Sequence, residues 1–406
     1  MRVSTNMIYD RGVGTIQQLW SHLLHVQQEV ATGRRVLTPA DDPIAASRAL
    51  DINKSRVINA QYKVNLDTAT DNLRLLENKL MGMGEILQYM REGAVGAGNG
   101  ILTEKELIFF VTDMRNQFDA MLALSNTRDV SGNFLFSGYR ADVQPFQGTY
   151  GNVSYEGDQG TRTIQVSSSR FMPISLPGSD LFDNTRPMND AAISVFTPTS
   201  NSAGASVTNS RFVPAPPALA DTGHRYEISF DGANYNVIEY KPGNPVPVPV
   251  PDPSNPLDPP PALVGNTLSF RGLSMDVNGF ATGNSFEVFV PSKNVFVNLA
   301  LFIDTLEKPG SSGVISGVKF ALQNIDLALD TELRVRAQIG SQLVELEQLG
   351  NVNSDMDIQY ADTLNRLEGC DYAEAISRLT QLKTNLEASQ LSFMRVSGLS
   401  LFNYLQ

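Results

Sequence analysis

Residues 62–90 read YKVNLDTATDNLRLLENKLMGMGEILQYM. Tyr62, Leu66, Ala69, Leu73, Leu76, Leu80, Met83, Leu87 and Met90 follow one another at alternating steps of four and three. This is the a/d spacing of a heptad repeat, and it places these side chains on one stripe of a long helix that needs another helix to cover it. Asp67, Asp71, Arg74, Glu77 and Lys79 fall off the stripe. The run GAVGAGNG at 93–100 is expected to end the helix, because repeated glycine is costly inside one.

Outward from this stretch, the same spacing recurs. Leu107, Val111, Met114, Phe118 and Met121 predict a second helix over 103–127, and Thr103 with Glu106 has the form of a capping box. The short glycine-rich break makes the two helices antiparallel neighbours. Toward the N-terminus, Val13, Ile16, Trp20, Leu23 and Val30 predict a helix over about 5–31, with Gln27 in one slot and Gly33 as its C-cap. Asp42 followed by Pro43 reads as the N-cap and first position of the next helix. Asp41 and Asp42 are therefore a turn and a cap rather than a catalytic pair, since sequence neighbours need not converge on one substrate atom.

The C-terminal part mirrors this. Leu322, Ile325, Leu329, Leu333, Ile339, Leu343 and Leu346 predict a helix over 314–349, and GNVNSD at 350–355 reads as its end. A further helix carries Leu364, Leu367, Ala375, Leu379, Leu382, Leu386, Phe393 and Val396, with strict heptad steps from Tyr372 to Ser400. The last residues, SQLSFMRVSGLSLFNYLQ, hold one charge, Arg395, and end on the apolar cluster Leu401, Phe402, Tyr404 and Leu405. So apolar an end belongs buried, either in its own fold or against a partner.

The middle changes period. FLFSG, TIQV, FMPISL, LSFRGLSMDV and SFEVFVPS are strand-like, and YEISF and YNVIEY flank Asp231-Gly232 as a hairpin signal. The Pro-rich loop 242–261 favours polyproline II or disorder and interrupts a β unit rather than dividing domains. The fold class is α+β, with an elongated rod of antiparallel, coiled-coil-like N- and C-terminal helices and a central β-rich insertion. The expected divisions are 1–40 with 366–406 for packing between subunits, 41–140 with 315–365 as a helical rod, and 141–314 as the β-rich part.

A net charge of −12 excludes the basic face of a nucleic-acid binder. It is unevenly spread: residues 1–140 are neutral, while the rest is acidic. A single cysteine, Cys370, excludes an intrachain disulfide and reads as a small half-buried position. No run is long enough for a membrane span, and the N-terminus has no apolar core of a cleaved secretion signal. His22 and His25 share a helix face but lack the third ligand zinc requires, and His224 stands apart. Neither HExxH nor a strand-to-helix GxSxG is present, and GAVGAGNG follows a helix rather than a strand. No catalytic, metal-binding or cofactor-binding residue is assigned, and Trp20 is read as a core or interface anchor.

VQQEVATGRRVLTPADDPIAASRAL at 26–50, with its PADDP turn, resembles the N-terminal signature of bacterial flagellins and their relatives. GNFLFSGY at 132–139, GNSFEVFVP at 283–291 and the ending DYAEAISRLTQLKTNLEASQLSFMRVSGLSLFNYL resemble the hook-associated branch of that family more closely. The resemblance covers about 1–140 and 315–406. It implies a structural adaptor between hook and filament that contacts other copies of itself, hook-associated protein 1 and flagellin. Export would proceed through the flagellar channel, with a chaperone on the C-terminal helix. It also implies that Val13, Ile16, Trp20, Leu23, Asp41, Asp42, Pro43, Leu379, Leu382, Leu386, Phe393, Leu401, Phe402 and Tyr404 serve assembly. Two other readings stay open here: a filament flagellin, and an adhesin with a glycan-binding β domain on a helical stalk.

Overall fold

The computed structural model describes residues 5–99, 102–183, 193–212, 223–244, 246–253, 260–310 and 313–402. Terminal helices flank a central β-rich region. The helices are α1 (Thr5–Thr32), α2 (Pro43–Gly98), α3 (Glu104–Ser125), α4 (Val295–Glu307), α5 (Val314–Glu368) and α6 (Tyr372–Phe402). Two compact units emerge, one from residues 1–64 and 348–406, the other from 65–347.

The second unit holds most of the core. Leu66, Ala69, Leu73, Leu76, Leu80, Met83, Leu87 and Met90 are all buried, as their spacing predicts, and the stripe continues to Ala94 and Ala97. The helix continues through Gly93 and ends at Gly98, inside the glycine-rich run expected to end it. Its small residues let neighbours approach: a Cβ on Gly93 would lie 2.6 Å from the Phe110 ring, and one on Gly98 would lie 3.0 Å from Val318. Val111, Met114, Phe118 and Met121 bury the matching face of α3, whose start is the capping box Thr103–Glu106. On α5 the buried stripe runs through Val318, Ala321, Ile325, Ala328, Glu332, Val335, Ile339 and Leu346. Leu333, expected on the seam, faces outward because the stripe passes one position earlier, through Glu332. Burial raises the Glu332 pKa, opposed by Arg336 one turn on.

Helix α5 also runs straight through GNVNSD to Glu368, and the real break is Gly369–Asp371. There the Asp371 carboxylate caps α6, accepting from the N–H groups of Ala373 (2.9 Å) and Glu374 (3.2 Å). Asn and Ser inside α5 are held by partners: Ser354 Oγ donates to the Gly350 carbonyl, and Asn353 is engaged by α2.

The β region begins with two antiparallel hairpins, β1 (Phe146–Thr149) with β2 (Asn152–Tyr155), and β3 (Thr163–Gln165) with β4 (Phe171–Pro173). The remaining strands are β5 (Ser194–Phe196), β6 (Ser206–Phe212), β7 (His224–Phe230), β8 (Tyr235–Tyr240), β9 (Val248–Val250), β10 (Ala262–Val264), β11 (Thr267–Phe270), β12 (Leu273–Asn278) and β13 (Ser285–Val290). They form two sheets, ordered β5-β13-β7-β8-β9 and β10-β11-β12-β6. Tyr226, Ile228, Val237, Phe286 and Val288 of the first share one core with Leu268, Phe270, Leu273 and Met275 of the second, so the sheets make a sandwich.

The Asp231-Gly232 hairpin is present. Phe230 pairs with Tyr235, and Asp231 Oδ1 accepts from the N–H groups of Ala233 and Asn234. Two sequence readings need correction. FLFSG is buried but is not a strand, because its backbone is shared among separate segments: Leu135 N–H donates to Thr127, while Gly178 N–H donates to Phe136 and Asp158 N–H to Ser137. Part of the Pro-rich loop is a strand, β9, at a sheet edge where Pro249 costs no ladder bond to an outer neighbour. Residues 245 and 254–259 of that loop lie outside the described residues. Helix α4, which the sequence analysis did not single out, joins helices to strands: the Phe118, Phe146 and Phe182 rings meet Phe296, at 5.7, 5.3 and 5.3 Å between centroids.

Candidate functional site

The first unit carries the residues assigned to assembly. Helix α1 lies antiparallel to α6. Tyr9 and Phe393 are 5.0 Å apart between ring centroids near one end, and Gly33 meets Tyr372 at the other. A Cβ on Gly12 would lie 2.7 Å from the Phe393 ring, so the absence of a side chain there makes room for the aromatic. Ala375 and Leu386 are buried on α6, with Leu379, Leu382 and Phe393 half-buried on the same stripe. From α1, Val26 is buried, and Val13, Ile16, Leu19, Leu23 and Val30 are half-buried.

Trp20 is not in this seam. It is 52% exposed, beside a groove of about 390 Å³ lined by Leu23, Leu379, Lys383 and Leu386. The stripe passes through Leu19 instead, one position away. Leu401 and Phe402 belong to the last turn of α6, while Tyr404 and Leu405 lie outside the described residues. Met7, Tyr9 and Leu24 on α1 are exposed, as are Ile376, Leu391, Met394 and Val396 on α6. The pair thus covers one face of each helix and leaves apolar side chains on others.

The PADDP turn is built by its two carboxylates. Asp41 Oδ2 accepts from Leu37 N–H (3.0 Å), Thr38 N–H (2.7 Å) and Thr38 Oγ1 (3.1 Å). Its Oδ1 faces His25 Nε2 at 3.1 Å, and the same imidazole faces Glu29 at 3.1 Å through Nδ1. Asp42 caps α2, accepting from Ala45 N–H at 3.0 Å, and Pro43 is the first helical residue. The Thr38 backbone N–H holds the Asp41 pKa below its ordinary value, and the Ala45 N–H does the same for Asp42.

The turn is also stapled to the α5–α6 break. Arg35 N–H donates to Glu368 O at 2.7 Å, the Arg35 guanidinium reaches Leu367 O at 3.1 Å and Asp42 at 3.4 Å, and Cys370 N–H donates to Gly33 O at 3.0 Å. Gly33 has φ +69° and sits where a Cβ would lie 2.6 Å from the Tyr372 hydroxyl. Burial and then Glu29 raise the Cys370 pKa, which disfavours the thiolate a reactive cysteine needs. Arg35, Thr38 and Glu29 escaped the sequence analysis. The Thr38-to-Asp41 spacing is a turn signature that would have flagged one of them.

Residues 3–141 match the model of the bacterial flagellin N-terminal helical region. Over 402 residues the chain is 25% identical to flagellar hook-associated protein 3 of Salmonella typhimurium, with 99% of each covered. The chain is similar from end to end to flagellar hook-associated protein 3. The protein of the same name in Escherichia coli is 26% identical over 402 residues. The crystal structure of flagellar hook associated protein-3 from Legionella pneumophila shares the fold, with a TM-score of 0.53 and 24% identity, covering 78% of this chain and 98% of that one. The match to hook-associated protein 3 spans both halves of the stapled corner, 33–43 and 367–372, and both terminal helices. No helix among the described residues is long and apolar enough to cross a membrane, and no group of three or more His, Cys, Asp or Glu among them is placed to hold a metal ion.

Proposed function

We propose that this chain is a structural, non-enzymatic adaptor of the bacterial flagellum, working outside the cell at the junction of hook and filament. One observation carries the reading: the paired terminal helices α1 and α6 cover a single face of each other and leave Trp20, Leu24, Ile376, Leu391 and Met394 in water. Apolar side chains at such density on a helix pair call for further helices, from other copies and from flagellar neighbours. End-to-end similarity to hook-associated protein 3 favours the junction over the filament or an adhesive stalk. Hook-associated protein 1 on one side and flagellin on the other are the partners this position implies. The stapled corner would hold α1 and α6 in a fixed relation to the start of α2 and the end of α5.

The test is genetic. A strain lacking the gene should keep its hooks and secrete unpolymerised flagellin, and the intact gene should restore filaments. Long filaments in the deletion strain would refute the junction role. Before export, α6 would be held by a chaperone, so a chain lacking residues 366–406 should no longer pull that chaperone down.

A further inference from the structure

In the first unit, the opening of α2 and the close of α5 pair with little apolar burial. On α2 only Ala45, Ala49 and Asn59 are buried between 43 and 64, and on α5 only Asn353 is buried between 348 and 368. Val57, Ile58, Val352 and Ile358 point to solvent nearby. What joins the helices is a reciprocal clasp. Asn59 Nδ2 donates to Asn353 O at 2.9 Å; Asn353 Nδ2 donates to Asn59 O at 2.9 Å and to Asn59 Oδ1 at 2.8 Å. Arg56 and Asp357 add an ion pair at 2.9 Å on the rim.

Both asparagines occupy seam positions. Asn59 lies three residues before Tyr62, and Asn353 lies seven after Leu346. Leucine at both would bury more apolar surface, so the amides are not there for stability. A buried amide rewards one partner alone, whereas apolar surface rewards any helix. If α2 met a helix from another copy or in another register, each amide would be left buried without its partner, at a cost a leucine pair would not incur.

We propose that Asn59 and Asn353 are specificity-determining residues: their clasp makes α2 and α5 choose each other within one chain over the exposed apolar helices of other copies. The inference does not depend on a flagellar role. The whole chain is purified with Asn59→Leu, with Asn353→Leu and with both, and each is followed by thermal unfolding and by light scattering at rising concentration. Each single substitution should lower the thermal midpoint by several degrees. The double substitution should restore or raise it, yet shift the chain from monomer toward oligomers at a concentration at least tenfold lower than wild type. A double variant as monomeric as wild type would overturn the proposal. So would a double variant less stable than either single one, since the clasp would then be a plain structural bond. Should a single variant fail to fold, the double variant against wild type still decides: oligomers at a concentration at least tenfold lower support the proposal, and an unchanged monomer overturns it.

Discussion

Asp41 and Asp42 show how two adjacent carboxylates divide one task. Each accepts backbone N–H bonds that a protonated acid would lose, and each has its pKa held below the ordinary aspartate value for that reason. A carboxylate so depressed contributes stability above its ordinary value and loses it as pH falls through the folded-state value. The corner should therefore hold at neutral pH and weaken progressively as pH falls through and below the ordinary carboxylate range. Acid titration of the wild type against Asp41→Asn, followed by amide exchange at Leu37 and Thr38, checks this: the variant should start less protected and show a flatter acid response. Gly33 is the second lever. Its left-handed φ and the nearby Tyr372 hydroxyl both oppose a side chain, so Gly33→Ala should cost about 1–3 kcal/mol in chemical denaturation of the corner. If Tyr372→Phe in the same chain recovers part of that loss, the hydroxyl contact is a share of it.

At the level of elements, periodicity succeeded where burial is continuous and failed where local chemistry overrode it. The stripe from Leu66 to Met90 was legible because every step is apolar and every residue is buried. The run from Gly93 ends α2 as expected, though only at Gly98, while GNVNSD was misread as a break by the same rule, that glycine and asparagine punctuate helices. Here Gly93 serves close packing against Phe110, and Asn353 is paid for by its clasp with Asn59. Neither partner is near in sequence, so no local pattern marks the exception. The PADDP corner was legible as a cap and turn, yet its staple to Leu367 and Glu368 was not, for that same reason. Helix α4 illustrates a further limit: VFVNLALFIDTLE is apolar on nearly all sides, so its burial leaves no face to give it a period. Its contact with α5 yields a prediction. A Cβ on Gly317 would lie 2.6 Å from the Thr305 side chain, which is fully buried and has nowhere to go. Gly317→Val should destabilise the second unit by about 1–3 kcal/mol through overpacking, read by denaturant unfolding, while leaving the α1–α6 pair unchanged.

Across the whole molecule, the two units differ in how fully they are finished. The second has a continuous helical seam, an aromatic cluster around Phe296 and a two-sheet core. In the first, few of the described side chains of α1 and α6 are completely buried, so their pairing must be marginal by itself and gain stability from whatever covers their open faces. Trp20 offers a direct view of this, being the single tryptophan of the chain and half exposed beside the groove with Leu379 and Leu386. In the free chain its emission should be that of a wetted indole and should be quenched by iodide. On assembly the indole should pass into an apolar setting, moving emission to shorter wavelength and cutting quenching several-fold. Trp20→Ser should lower the thermal midpoint of the free chain only slightly, because half of the side chain is already exposed there, yet weaken assembly strongly. The opposite pair of results, a destabilised free chain with normal assembly, would place Trp20 in the subunit's own core and remove it from the interface. The contrast separates the two roles because one residue cannot bury the same surface twice.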